Sequence, residues 1–259
     1  MKWIDINNWT ININDVPPLL DRYNLLPSFI RSLVESRFTS DIKPTKEEQL
    51  EYYNQFLKNQ SLNTQEELDK WLKNKALDEK RISIILFDQL KVEKLKNKMF
   101  TGKIDQVFLK EKESLDRVTY SLIRLKTQNE AEELYLQLSD DDASFAELAS
   151  RYSSGIEKNL NGLIGPIPLG DTNPAIAERL KISKPGQLWP PFSSSGWWLI
   201  IRLEKNLPAV LDDKMREKIK NMMYEEWINN QIFPLVNQLR NTNNKSEVTE
   251  ELSLDKDNS

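Results

Sequence analysis

Residues 117–206 carry a succession of patterns that few small folds can accommodate. These are a strand, a short helix, a glycine-containing loop, a proline–glycine turn and a closing strand, at Arg117–Leu125, Phe145–Ser153, Asn161–Pro166, Lys184–Gly186 and Gly196–Leu203. A second short helix is expected between the loop and the turn. The stretch therefore predicts a compact α/β module of about 90 residues, which is a usual domain size. Apolar residues at helical spacing precede and follow it, so the rest of the chain is expected to be mainly helical.

The composition excludes several classes of function. The chain has 259 residues, of which 39% are hydrophobic and 29% charged, and this predicts one large or two ordinary domains in a soluble protein. It has 40 acidic and 36 basic residues with no basic cluster, so nucleic acid is not an expected partner. It contains no cysteine and no histidine. Disulfides, zinc fingers, cysteine nucleophiles and histidine bases are therefore excluded.

Neither a metal, a cofactor nor a membrane is expected. Asp140–Asp142 is the one tight acidic cluster, and three acids before a helix are typical of a charge that complements the helix dipole. No window approaches 18 consecutive apolar residues, so stable membrane insertion is not expected. The first nine residues lack the apolar region and the cleavage site of a secretory signal, which favours a cytoplasmic location.

The flanking segments predict helices with one buried face each. Thr45–Glu48 and Thr64–Glu67 are capping boxes, which mark helix starts. Between residues 215 and 239, apolar side chains fall on one face at steps of three and four. A long helix must bury such a stripe, and the N-terminal helices are its natural partner.

The domain organisation follows from these patterns. We predict four regions, namely an N-terminal helical domain, the α/β module, a C-terminal helix that packs on the N-terminal helices, and a disordered tail, at residues 1–114, 115–206, 207–240 and 241–259.

The central stretch resembles the parvulin (rotamase, PpiC-like) domain of peptidyl-prolyl isomerases. The matching segments are the first strand, the first helix, the Gly-x-x-Gly loop, the late turn and the last strand, at Arg117–Leu125, Phe145–Ser153, Gly162–Gly165, Lys184–Gly186 with Pro190–Pro191, and Gly196–Ile201. The flanks look like the helical part of SurA-like or PrsA-like foldases. The resemblance implies an α+β fold: a helical chaperone-like layer, made of N-terminal helices and the long C-terminal helix, with an inserted parvulin α/β domain. That domain would contain a small antiparallel sheet surrounded by short helices.

The resemblance also implies a pocket, and this sequence departs from the family at every pocket position. The two family histidines align with Leu122 and Trp198, and the family Asp or Cys after the first helix aligns with Gly155. The Met and Phe of the proline cup fall near Thr172 and Ile176. No residue is therefore assigned a catalytic role.

Several side chains near these positions are candidates for substrate binding. The hydroxyls of Ser121, Ser193 and Ser195 could donate hydrogen bonds to a peptide carbonyl. The expected substrate-binding set is Ser121, Leu122, Thr172, Ile176, Ser193, Ser195 and Trp198. Successive residues of a strand point to opposite faces, so one of Trp197 and Trp198 is expected to face the groove.

The resemblance implies a prolyl isomerase or foldase that acts on unfolded or proline-containing polypeptides. The replaced pocket residues favour weak or lost catalysis, with peptide-binding or chaperone activity as the main role. A non-enzymatic adaptor or escort for one client peptide, linked to an export system, is the alternative. A further alternative is that the pocket is repacked as core and binds no ligand. The sequence does not predict the oligomeric state.

Overall fold

The chain divides into two compact units. The computed structural model describes the backbone of residues 2–6, 9–140 and 143–254, and the side chains through residue 241 except those of residues 5, 6 and 9. The first unit comprises Met1–Ile104 with Glu217–Ser259, and the second comprises Asp105–Arg216. We call them the helical unit and the central unit.

Outside the central unit the elements are helices, apart from the strands β1 and β2 near the start of the chain. In chain order they are β1 (Lys2–Ile6), β2 (Trp9–Asn12), α1 (Val16–Arg22), α2 (Leu26–Phe38), α3 (Lys46–Asn59), α4 (Gln65–Asn74), α5 (Glu79–Phe100), α6 (Ile104–Leu115), β3 (Arg117–Leu125), α7 (Gln128–Ser139), α8 (Phe145–Tyr152), β4 (Leu163–Pro168), α9 (Pro174–Lys181), β5 (Leu188–Ser194), β6 (Trp197–Leu207) and α10 (Asp213–Leu254).

The predicted capping boxes begin helices α3 and α4. The Thr45 hydroxyl accepts a hydrogen bond from the Glu48 backbone N–H, and the Thr45 N–H donates to the Glu48 carboxylate. Thr64 and Glu67 make the same reciprocal pair. Each box satisfies N–H groups that a helix start leaves without an intrahelical partner.

Helices α2 and α10 pack against each other in antiparallel directions. Arg240 of α10 donates to Asp21, which lies shortly before α2, and the Tyr224 hydroxyl donates to Glu35 near the end of α2. Between the two helices lie buried apolar side chains from both of them and from α5, namely Leu26, Ile30, Val34, Phe100, Ile228, Ile232 and Val236. Ile228, Ile232 and Val236 of the C-terminal helix are therefore buried against the N-terminal helices.

A second core in the helical unit joins α3, α4 and α5. Its buried residues are Leu68, Leu72, Ile82 and Leu86. Phe56 of α3 lies edge-on against Trp71 of α4, with ring centroids 5.4 Å apart. The aromatic side chains of this region therefore pack between helices.

The central unit contains a four-stranded antiparallel sheet with the order β4-β3-β6-β5. One face packs on α9 through a cluster that includes Leu122, Ile176 and Leu180. The other face packs on α7 and α8 through a cluster that includes Ile123, Leu134 and Phe145. The predicted α+β architecture, a helical layer with an inserted domain that has a small antiparallel sheet between short helices, is confirmed.

The boundaries of the central unit lie outside the predicted module. The unit begins at residue 105 and ends at residue 216, rather than at 115 and 206. Two contacts explain the difference: Arg216 forms an ion pair with Asp105 at 3.1 Å, and the Ala209 N–H donates to Asp116 at 2.7 Å. These contacts join the segment that precedes the sheet in the chain to the segment that follows it, so both segments belong to the central unit.

The C-terminal helix is longer than the sequence predicts. It continues to Leu254, past residue 240, where the sequence predicts the start of a disordered tail. Lysine, glutamate and leucine occur between residues 245 and 254, and all three favour helix. Residues 255–259 of the predicted tail lie outside the described residues, as do Asp141 and Asp142.

The described ranges contain neither a bilayer-spanning helix nor a metal-binding cluster. None of their helices combines the length and the apolar character that crossing a bilayer requires. Nor do three or more acidic residues of these ranges come together in an arrangement that could hold a metal ion.

Candidate functional site

The pairing of β3 with β6 decides which side chains share a face of the sheet. Leu122 pairs with Ile201, and Ile123 pairs with Ile200. Paired residues of an antiparallel ladder point to the same face, and their neighbours point to the other. Leu122 and Ile201 therefore face α9, and we call this the α9 face.

Two predicted pocket residues meet on the α9 face and fill it. The side chains of Leu122 and Ile176 are 1% and 4% exposed, and both belong to one core cluster. Tyr120, Phe192 and Leu203 are among the other buried members of this cluster. At these positions the structure has a packed core rather than an open cup.

Trp198 does not join Leu122 and Ile176. It pairs with Leu125 on one side and with Ser193 on the other, and it packs with the cluster on the opposite face. Trp197 packs against the α9-face cluster instead. The prediction that places Trp198 with Leu122 in one pocket is therefore corrected. Successive residues of a strand point to opposite faces of the sheet. An error of one residue in the alignment with the parvulin family therefore moves the aligned side chain to the other face.

The predicted hydroxyl donors do not converge on one point. Ser121 is buried and donates to Glu204 Oε1 at 2.6 Å, and that oxygen also accepts from Arg202 Nε at 2.8 Å. The Thr172 hydroxyl donates to the Leu169 carbonyl at 2.8 Å. These two hydroxyl hydrogens already have acceptors within the domain.

Ser193 and Ser195 are exposed at the hairpin that joins β5 and β6. Ser193 pairs with Trp198 and so points away from the α9 face. Ser195 and Gly196 form the turn with φ values of 52° and 78°. Two successive left-handed residues are typical of a tight hairpin turn. Of the predicted set, these two serines are the ones that solvent reaches freely.

A buried carboxylate at Glu157 is absent from the residues predicted from the sequence. This side chain is 1% exposed, and its Oε1 accepts a hydrogen bond from the Ser153 hydroxyl at 2.7 Å. The Ser153 hydroxyl oxygen accepts from the Arg124 backbone N–H at 3.0 Å. Arg124 Nε lies 3.5 Å from Glu157 Oε1. Within the described residues, Arg124 Nε and Glu157 Oε2 have no hydrogen-bond partner.

Gly155 leaves the space that the Glu157 carboxylate occupies. A Cβ at position 155 would lie less than 3 Å from both carboxylate oxygens. The φ of Gly155 is −101°, which any residue adopts, so glycine is required by this close approach and not by the backbone conformation. A side chain at this position, where the parvulin family has an Asp or a Cys, would therefore require the Glu157 carboxylate to move.

Tyr120 shows how dry the α9 face is. Its side chain is buried, and this burial raises the pKa of its hydroxyl to about 12, while the nearby Arg124 charge opposes the rise and the Glu157 charge adds to it. The phenol is therefore neutral at ordinary pH and adds no charge to this face.

Arg179 covers the aromatic side of the α9 face. Its guanidinium carbon lies 3.7 Å from the ring centroid of Phe192 and 5.7 Å from that of Trp189. Its Nη1 donates to the Ala175 carbonyl at 2.8 Å. A cation held over aromatic rings in this way closes the apolar cluster against solvent.

The family comparison agrees with this sheet and its two helical faces. The description that matches is Rotamase, the PPIC-type PPIase domain, and it covers residues 110–205. Residues 110–205 form a PPIC-type peptidyl-prolyl isomerase domain. This parvulin domain is the part of the chain that contains every predicted site residue.

Two curated relatives are similar to part of the chain. The chaperone SurA of Aromatoleum aromaticum is 30% identical over 131 residues, which are 48% of this chain and 30% of the relative. The chaperone SurA of Nitrosospira multiformis is 28% identical over 98 residues, which are 34% of this chain and 22% of the relative. The chain thus spans less than a third of the length of either relative.

Solved structures of PrsA peptidylprolyl isomerases also match. The structure from Bacillus anthracis is 24% identical, with 82% of this chain and 95% of that chain covered and a TM-score of 0.44. The structure from Bacillus cereus is 18% identical, with 93% and 92% covered and a TM-score of 0.45.

Proposed function

We propose that this chain is a parvulin-type foldase that binds unfolded or proline-containing polypeptides and has weak or no isomerase activity. The observation that carries the proposal is the burial of Leu122 inside a PPIC-type domain. The domain match supports the class of substrate. The packed α9 face supports the loss of turnover.

The chemistry of the family makes this loss understandable. Rotation about an X-Pro bond must overcome amide resonance, with a barrier of about 18–20 kcal/mol. Removal of one preorganised polar contact from a dry site costs about 2.7–4 kcal/mol of transition-state stabilisation. In the described part of the domain, apolar Leu122 occupies one polar family position and Gly155 another. A rate close to that of the uncatalysed reaction is the expected result.

Peptide binding requires less than catalysis does. Trp197 is half-buried beside the exposed turn of Ser195 and Gly196, on the α9-face side of the sheet. A tryptophan with an apolar base and an accessible edge is a common anchor for a bound polypeptide. We assign the anchoring role to Trp197, where the sequence left the choice between Trp197 and Trp198 open and the predicted substrate-binding set contains Trp198.

A binding titration with proline-containing peptides tests the anchoring role. The Trp197→Ala variant should weaken the binding of such a peptide about tenfold. The control is Ile182→Ala, because Ile182 is exposed in the same unit and lies outside the α9-face cluster. Equal affinities of the two variants would remove Trp197 from the proposal.

An adaptor or escort for one client peptide, linked to an export system, stays the alternative. The packed α9 face favours it equally, because an adaptor needs no turnover. Affinity for many unrelated unfolded clients supports the foldase, and affinity for a single co-purifying peptide supports the adaptor. A cytoplasmic location also stays a prediction, which the comparisons do not support and which cell fractionation tests.

A further inference from the structure

Helices α2 and α10 of the helical unit leave an open apolar groove between them. Its volume is about 640 Å³. Its lining residues are Ile30, Leu33, Val34, Arg37 and Phe38 of α2, and Asn230, Gln231, Pro234, Leu235, Gln238 and Leu239 of α10. The groove lies beside the core of the unit, where Ile30 and Val34 are buried.

The two walls of the groove are helical stripes. The α2 residues recur at steps of three, one, three and one, which place them on one face of the helix. They extend over about 12 Å, or two turns. Leu33 and Leu235 are 52% and 41% exposed although they face the groove. Apolar stripes of this kind on two antiparallel helices offer the ridges between which a third helix packs.

Pro234 leaves a backbone carbonyl of α10 without its usual hydrogen-bond donor. It lies inside α10 and has no backbone N–H, so the Asn230 carbonyl receives no hydrogen bond from the position that would normally provide one. Both residues line the groove. A bound segment that carries a hydrogen-bond donor, such as a hydroxyl or an amide, could use this acceptor.

Arg37 gives the groove its charge. It is the charged member of the lining, and no carboxylate of the described residues pairs with it. In contrast, Arg31, less than two turns earlier on the same helix, is held by Glu225 at 2.7 Å. An unpaired guanidinium at the edge of an apolar groove complements an acidic side chain at the edge of an apolar helix.

We propose that this groove binds an amphipathic helical segment of another polypeptide, with apolar residues at helical spacing and a carboxylate that meets Arg37. A helix satisfies its own backbone, whereas an extended segment would need a row of partners that two helix faces do not supply. A second copy of the chain is a poorer occupant, because a two-fold interface would set one concave groove against another. The site belongs to the helical unit and does not depend on the activity of the isomerase domain.

A fluorescent peptide tests the site in the full chain. The probe is an amidated peptide of about 18 residues with leucines at i, i+4, i+7 and i+11 and one glutamate beside the stripe. Fluorescence anisotropy should show saturable binding that a scrambled peptide lacks. The Leu235→Asp variant should weaken binding about tenfold or more. The matched control is Phe233→Asp, since Phe233 is 70% exposed on the same helix and does not line the groove.

Reversing the charge at position 37 gives a test that does not depend on how stable the variant is. The Arg37→Glu variant should bind the glutamate peptide about threefold more weakly, and it should prefer a peptide with lysine in place of the glutamate. Both peptides are titrated into the same variant, so a change in the stability of that variant cannot produce a preference between them.

Three results of these titrations would overturn the inference. They are the absence of saturable binding, equal losses for Leu235→Asp and Phe233→Asp, and an unchanged charge preference in Arg37→Glu. A wild-type dimer that Leu235→Asp converts to a monomer in sedimentation would also overturn it, since a second copy would then fill the groove. Binding of proline-containing peptides to the central unit is unaffected by any of these outcomes, so this inference and the proposed function fail separately.

Discussion

The carboxylate of Glu157 occupies the space beside Gly155, so that a Cβ at position 155 would require this carboxylate to move. The parvulin family has a polar side chain at the position that aligns with this glycine. Here a buried carboxylate, held by Ser153 and facing Arg124, takes its place from two residues further along the chain. The loop that would present a pocket residue is thus built around an internal ionic cluster.

The Gly155→Ala variant should lower the free energy of unfolding by about 1–3 kcal/mol, because the added methyl group must displace a buried carboxylate from its hydrogen bond with Ser153. Denaturant unfolding measures the change. Gly102→Ala is the matched control, since an added Cβ there meets nothing within 4 Å. Equal stabilities of the two variants would show that the Glu157 side chain moves freely.

Ser153→Ala should destabilise the domain by about 1–3 kcal/mol, since it leaves Glu157 Oε1 and the Arg124 N–H without this hydroxyl. Ser150 lies in α8, just before Ser153, is partly buried and donates to the Glu147 carbonyl three residues earlier, so Ser150→Ala should have little effect. Thermal melts of the two variants, compared with the wild type, check this difference. A similar loss in both would argue against a buried cluster.

Leu122→His would restore the family histidine at its aligned position. Because Leu122 is 1% exposed within a packed cluster, we expect a stability loss of about 2–5 kcal/mol and no gain in isomerase rate. Leu122→Met, which conserves volume, should cost less than about 1.5 kcal/mol. A stable Leu122→His variant with restored turnover would show that the α9 face opens to substrate.

The raised pKa of Tyr120 predicts that the folded protein loses stability at alkaline pH. Its pKa is raised by burial to about 12 in the folded protein, against about 10 for an unfolded tyrosine. The unfolded chain therefore releases this proton first. The contribution of Tyr120 to stability is fully present below about pH 10 and is lost between about pH 10 and 12.

Comparison with Tyr120→Phe isolates this contribution from that of other buried tyrosines. The variant should lose less stability than the wild type over the same pH range, as measured by denaturant unfolding at each pH. Identical alkaline profiles of the two proteins would contradict a dry environment at Tyr120.

Local sequence signals predicted most of the fold, because they act through neighbouring residues. The capping boxes at Thr45 and Thr64 and the apolar stripe of α10 each follow from spacing alone. The end of α10 was predicted too early, since the polar composition after residue 240 hid a segment rich in helix-forming residues. The strands β3 and β6 could also be predicted from the sequence, because they are the most apolar strands of the module.

The site was harder to predict because it depends on which face a residue occupies and on contacts between distant positions. Trp197 and Trp198 are adjacent and identical, and the pairing of β6 with β3 decides which of them lies on the α9 face. Glu157 carried no signal, since an isolated glutamate in a polar loop is almost always exposed. Its burial depends on Arg124 and Ser153, which the tertiary fold brings to it.

The exchange of a proline-containing peptide between its cis and trans forms tests the central claim most directly. Exchange NMR at high protein concentration should show peptide resonances that shift on binding, while the rate of exchange stays close to that of the free peptide. An active parvulin domain under the same conditions provides the reference. A rate enhancement comparable to that reference would contradict the account, because a packed face around Leu122 could not produce it.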